Sequence, residues 1–292
     1  MANLTTNLEL DSELVKGIFS KVAGHSAVAA LCGETPIPFN GIDVMTFSMD
    51  GEAELVGEGD NKSPGDASFT PVTIKPFKLV YQHRVTDEFI KMSDEKQLPY
   101  LQAFGDGFAK KIARAIDITS FHGLNPKTGQ PASAITGKCF DTLVTRTVTY
   151  DATAPDDNLD EAIGKIQEKD ADATGIAMAP AFGTAMSNVK VNGVVQYPEF
   201  RFGGKPAVFA GYTTNINNTV AFGGAKDLAI VGDFQSAFKW GYSEQLPLEI
   251  IQYGDPDGQG DLKRKNQIVL RTEAYIGFGI LNPDAFSRII SE

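Results

Sequence analysis

Leu101, Phe104, Phe108, Ile112, Ala115 and Ile116 recur three or four residues apart, which lays one apolar stripe along a helix. Lys110, Lys111, Arg114 and Asp117 fall largely off that stripe. Ser93 and Asp94 suit its start, Pro99 is tolerable only in a first turn, and Gly123 stands where it should stop. The pattern predicts a rod from Leu98 to Phe121, about 36 Å long. Gly105 and Gly107 cost about 1 kcal/mol each inside a helix, so they mark close packing or a bend.

A second pattern precedes it. Phe77, Leu79, Tyr81, His83 and Val85 alternate with Lys78, Val80, Gln82 and Arg84, as in a strand with one apolar face. Upstream, Val72, Ile74 and Pro76 occupy even positions, so the sidedness changes near Pro76. Pro71 and Pro76 lack N–H donors, which suits an edge. The polar, turn-rich run Gly57–Asp66 separates this strand from a flanking one, Glu54–Val56, and predicts one long hairpin. A lone two-stranded hairpin is marginal in water, so this one should lie on something else. That surface is either its own domain or another chain.

The rest is shorter-ranged. Met1–Leu10 shows no periodicity. A helix is expected from Asp11, with Leu14, Val15, Ile18, Phe19 and Val22 inward, continuing towards Ala27–Leu31. Strands are expected at Val44–Phe47, Leu143–Tyr150, Gly175–Ala179, Ala207–Tyr212, Val220–Phe222, Leu228–Gly232 and Tyr275–Leu281, and helices at Leu159–Lys169 and Ala181–Val189. Leu248–Gln252 and Gln267–Ala274 read as another hairpin, and Pro283–Ile290 as a short terminal segment. Helices and strands mix without strict alternation, so the class is α+β.

Composition narrows the function. The 292 residues are 42% hydrophobic and 22% charged, enough for a sizeable core. The formal net charge is −11, which argues against direct nucleic-acid binding. Two cysteines make no disulfide framework and fit a reducing compartment. No apolar run approaches a membrane span, and the N-terminus has no signal pattern. Candidate chemistry is thin. His25, His83 and His122 lack an HExxH or paired-Cys setting, and His83 reads as a structural residue on the apolar strand face. Asp255, Asp257 and Asp261 suggest a calcium loop, but Gln259 and Asn266 stand where further acids would be needed. No catalytic, metal or cofactor site is expected.

Several stretches together resemble the tailed-bacteriophage major capsid proteins, whose fold is shared with encapsulins. Ala53–Asp60 followed by Ser68–Val72 resembles the family's extended E-loop, and Lys78–Ile90 its return strand. Phe108–Asp117 with Phe121-His122-Gly123 resembles the spine helix, Ile176–Pro180 a step of the axial domain, and Ile268–Pro283 with Asp284-Ala285-Phe286 the C-terminal end. The resemblance implies an N-terminal arm (1–42), an E-loop hairpin with flanking strands (43–85), a peripheral domain on the spine helix (86–155), an axial domain (156–242), a return through the peripheral domain (243–280) and a C-terminal segment (281–292). It implies hexamers and pentamers of this chain closing into an icosahedral capsid around double-stranded DNA, without sequence-specific binding. The location implied is the virion, after assembly in the host cytoplasm. A separate scaffold, portal or decoration protein is a further partner it allows. Glu58, Asp60, Asn61, Lys62, Phe69 and Lys75 are the expected inter-subunit contacts of the E-loop tip.

Some relatives crosslink a Lys to an Asn with help from a Glu. Asn266 and Glu273 have the matching spacing, but the lysine position falls near Pro71, with Lys62, Lys75 and Lys78 displaced, so no crosslink is expected. The negative surface is expected to limit adhesion to packaged DNA. Two other readings remain at this point: an encapsulin-type shell around protein cargo, and a soluble enzyme or binding protein whose site leaves no local motif.

Overall fold

The structure, a computed structural model, describes residues 25–50, 53–59, 61–92, 94–245 and 249–292. The helix expected from Asp11 to Val22 lies outside the described residues, as does Asp60. In chain order the first elements are α1 (Ala27–Leu31), β1 (Ile42–Asp50), β2 (Asp66–Ile74), β3 (Phe77–Thr86), α2 (Glu88–Lys91), α3 (Asp94–His122), α4 (Phe140–Leu143) and β4 (Thr147–Thr149). There follow α5 (Pro155–Gln167), β5 (Gly175–Met178), α6 (Pro180–Asn188), β6 (Lys190–Val191), β7 (Val194–Val195), β8 (Val208–Phe209), β9 (Tyr212–Ile216) and β10 (Asp227–Gly232). The last are β11 (Phe238–Gln245), β12 (Glu249–Ile251), β13 (Gln267–Ile280) and β14 (Phe286–Ile290).

Helix α3 extends the predicted rod at both ends. Phe108, Ile112 and Ile116 are buried along it. It ends at Gly123, whose φ of +66° places it in the left-handed region and whose N–H returns to the Thr119 carbonyl at 3.0 Å. The two helix glycines differ. Gly105 is buried, whereas Gly107 is exposed with open space around it.

Several sequence expectations change. The arm is not built from Glu54–Val56 and the strand from Phe77. Its strands are β1 and β2, paired antiparallel from Ile42↔Ile74 to Asp50↔Asp66, and Glu54–Val56 lies in the connecting loop. β3 instead pairs with β13, from Gln267↔Thr86 to Ile276↔Phe77. The change of sidedness near Pro76 is the break between β2 and β3, where one chain leaves the arm and enters a second sheet. Leu143–Tyr150 divides into the end of α4 and the three-residue β4, and Val220–Phe222 is not a strand. His83 is exposed. At that end of β3 a loop covers the opposite face: Gln82 Nε2 donates to the Pro256 carbonyl at 3.4 Å, and Arg84 binds the same loop.

β13 is the axis of a four-stranded sheet. β3 runs along one edge, while β11 and β12 follow each other along the other. The sequence reading divided β13 into two segments, Gln267–Ala274 and Tyr275–Leu281. A six-stranded mixed sheet in the order β4-β14-β10-β5-β9-β8 makes up the other part. The terminal strand β14 is an interior member of it, between β4 and β10. Phe140 joins the parts, with ring centroids 5.7 Å from Phe121 on α3, 5.4 Å from Phe238 on β11 and 4.9 Å from Phe286 on β14. Such aromatic clusters bury large areas in edge-to-face geometry, so long helix and both sheets share one core.

Asp117 fastens α1 to α3 inside that core. It is fully buried and accepts from Ser26 Oγ (2.5 Å), Ala27 N (2.9 Å), Val28 N (3.1 Å) and Thr219 Oγ1 (2.7 Å). Two of these donors are N–H groups of the first turn of α1, which have no partner within the helix itself.

Candidate assembly interface

Antiparallel pairing puts alternate cross-strand pairs on opposite faces of the arm. Val44, Val72 and Ile74 fall on one face, and there Ile74 is buried. This face rests on β13 at two glycines. A Cβ built on Gly277 would stand 3.1 Å from Ile74 Cγ2, and one on Gly279 would stand 2.6 Å from Ile74 Cγ1. The arm's base approaches the strand closely at both glycines, and at Gly279 a side chain would press into Ile74.

The opposite face carries Met45, Phe47, Phe69 and Pro71. The Phe47 and Phe69 rings pack on each other across the strands at 4.8 Å. They nevertheless remain 54% and 66% exposed, and Met45 59%. An apolar face presented to solvent on a two-stranded ribbon is the kind of surface that marks an interaction site.

Of the six expected contact residues, Glu58, Asn61 and Lys62 are exposed in the loop joining β1 to β2. That loop turns at Gly59, with φ +90°, and Ser63 N donates to Glu54 Oε2 at 2.9 Å. Phe69 lies on the shaft, paired with Phe47, and Lys75 lies at the base beyond the end of β2, so neither belongs to the tip. Met45 and Phe47 were missed. Their spacing from the hairpin turn carried the signal, but the turn had been drawn too short. Glu273 binds Lys78 at 2.5 Å, while Asn266 ends a helical turn with φ +51°.

Two charged clusters lie elsewhere in the body. Arg84 binds Asp257, Asp255 and the Gly260 carbonyl (2.8 Å), so a guanidinium holds the loop whose aspartates resembled a calcium site. The Arg84 hydrogen bond holds the Asp257 carboxyl down at about 2. Near the end of α3, His122 Nδ1 meets Asp141 Oδ2 at 2.9 Å and Nε2 meets the Thr219 carbonyl at 3.0 Å. Both ring nitrogens face acceptors, so the ring is held as imidazolium. Burial pulls His122 down, but Asp141 outweighs it and the net shift is upward. Asp227 is pushed up to about 8 by burial and by Asp141.

His122, Asp141 and Asp227 place ligand atoms within 4.8 Å of one another, a grouping that local spacing did not reveal. Arg288 lies 2.9 Å from Asp141 and 3.3 Å from Asp227. A guanidinium therefore stands where a metal ion's charge would be, and the donor set is a proton-sharing ion network.

The comparisons bear on this geometry. The phage capsid family matches residues 9–289. The chain belongs to the phage capsid family. It is a structural capsid protein, which builds a shell from many copies and resides in the virion capsid. A chain from Mycobacterium phage Ogopogo is similar at a TM-score of 0.80 and 31% identity, over 92% of each chain. One from Gordonia phage Cozz gives 0.74 at 22% identity, covering 94% of this chain and 86% of that one. A chain titled as the capsid of a native GTA particle, computed with C5 symmetry, gives 0.63 at 13% over 92% and 90%, a likeness of fold alone. No curated protein matches the sequence.

Proposed function

We propose that copies of this chain assemble head to tail into hexamers and pentamers, which close an icosahedral shell around double-stranded DNA. Each subunit lays its arm, 42–74, on a neighbour, and the tip residues Glu58, Asp60, Asn61 and Lys62 with Phe69 on the shaft make the contact. The exposed apolar face of Met45, Phe47, Phe69 and Pro71 is the observation that carries this reading. A heterologous contact of this kind generates rings, and several such contacts per subunit sum by multivalency. Assembly occurs in the host cytoplasm. Cys32 and Cys139 are free and buried, which suits a reducing compartment.

The test is to express the chain, fractionate it by size and examine the largest fraction by negative-stain electron microscopy, then digest with nuclease. Closed shells or rings of five and six, with nuclease-protected DNA from phage-infected cells, are expected. A uniform monomer or dimer whose arm resists proteases would overturn the reading, because the arm would then need no neighbour.

A further inference from the structure

A cavity of about 550 Å³ opens between α3 and strands β8–β9. His25, Lys110, Arg114 and Lys205 line it together with Asn215 and Asn218, and among the described residues no acidic side chain does. This is unexpected in a chain with 37 acidic and 26 basic residues, because a random patch of such a surface would mix the signs. Lys110 and Arg114 stand four residues apart on α3, which places them on one face of the helix. Lys205 comes from the loop before β8 and His25 from the residue pair leading into α1. Two separate parts of the chain thus bring cations to one concavity, and a third adds the His25 side chain.

Arg114 is also fixed in place. Its Nη1 donates to Asn218 Oδ1 at 2.6 Å, and its guanidinium lies 5.9 Å from the Phe222 ring centroid. An arginine guanidinium is the side chain best matched to the paired oxygens of a phosphate. Hydroxyl and amide groups of Thr214 and Asn217 share the remaining lining with Pro180, Pro206, Ala207 and Ile216.

We propose that this cavity is a phosphate-binding site that contacts the backbone of the enclosed double-stranded DNA. The proposal rests on the capsid reading above. It also revises the expectation drawn from net charge. The mean charge keeps DNA from coating the protein, while one local cluster still holds single phosphates at short range. Such contacts carry no sequence information, in keeping with a shell that must accept any genome.

The test measures binding of a fluorescent duplex oligonucleotide to the full-length protein by anisotropy across a salt series. The comparison is Lys110→Gln with Lys205→Gln, two exposed positions, so thermal melts should match wild type. Losing two phosphate contacts should make the slope of log affinity against log salt shallower by about 1.8. Affinity at the lowest salt should fall about tenfold or more. The same double change at Lys169 and Lys190, both exposed and outside the cavity, should leave slope and affinity unchanged. Equal loss from that control pair, or no loss from the cavity pair, overturns the proposal. So does displacement of all bound duplex by inorganic phosphate at constant ionic strength, which would make this a small-anion site. Competition by a peptide of residues 1–24, with no duplex binding, overturns it in favour of a protein segment. Shells in the same preparation that bind no duplex would sink this inference and leave the capsid reading intact. Duplex binding by a protein that forms no shells or rings would do the reverse.

Discussion

The arm gives the sharpest test. Consider Phe47→Asp combined with Phe69→Asp. The two side chains are 54% and 66% exposed in the subunit. A phenylalanine presents about 200 Å², so the pair offers roughly 240 Å² to a neighbour. At about 25 cal/mol per Å², burial of that area is worth roughly 6 kcal/mol per contact before the cost of association. Aspartate removes this term and adds two charges that the contact would have to desolvate. A closed ring of six repeats the loss six times. Within the subunit the change removes only one cross-strand pair, worth about 1 kcal/mol.

The two consequences separate cleanly. Sedimentation velocity and negative-stain microscopy should show no rings or shells at concentrations where wild type assembles. Thermal melting of the unassembled subunit should move by no more than a few degrees. Phe47→Leu with Phe69→Leu should restore assembly, since it keeps an apolar face. Normal shells from the double aspartate variant would refute the reasoning. A subunit that melts much earlier would also refute it, because the face would then have an intramolecular role.

Four other outcomes follow from the packing and the charges. Asp117→Ala strands two N–H and two hydroxyl donors in the core, so chemical denaturation should show a loss of about 3–5 kcal/mol; a loss under about 1 kcal/mol would show that α1 is held otherwise. Gly279→Val drives a side chain into Ile74, and limited proteolysis should cut the arm near its base, which it should not do in wild type. Arg84→Met frees the loop over 254–262, and the same loosening should appear in wild type as pH falls from about 4 towards 2, because Asp257 is held below its unfolded value of about 3.9 and its stabilisation is lost on protonation. Asp227 has a folded value raised to about 8 from an unfolded one of about 3.9, so its stabilisation is complete below about pH 4 and is lost as pH rises to about 8, and His122, also raised, acts in the same direction. Melting temperature should therefore fall between about pH 4 and 8, and Asp227→Asn should flatten that fall; identical profiles would remove Asp227 from the cause.

What could be read from the chain divides by the distance over which a signal acts. Helix α3, the buried strand at Gly175 and the helix opening at Pro180 depend on residues within one or two turns, and each was legible. Strand pairing does not. The alternation from Phe77 to Val85 identified a strand with one apolar face, yet its partner β13 lies some 190 positions away. Nothing local could choose that partner over Glu54–Val56. The same limit hid the ion network, whose members come from α3, α4, β10 and β14.

The arm shows that some long-range information was nonetheless present. A strand register fixes which residues share a face, and a shift of one residue reverses the face. Pairing Asp50 with Asp66 puts Phe47 opposite Phe69 and Met45 opposite Pro71. A register one residue away would set Phe47 and Phe69 on opposite faces and break up their ring pair. The sequence thus encodes a face that stays exposed on the free subunit. For a compact monomer that face is a liability, since exposed ribbons of this kind associate. In the proposed shell it is the means of association, and its cost is removed when the neighbour covers it.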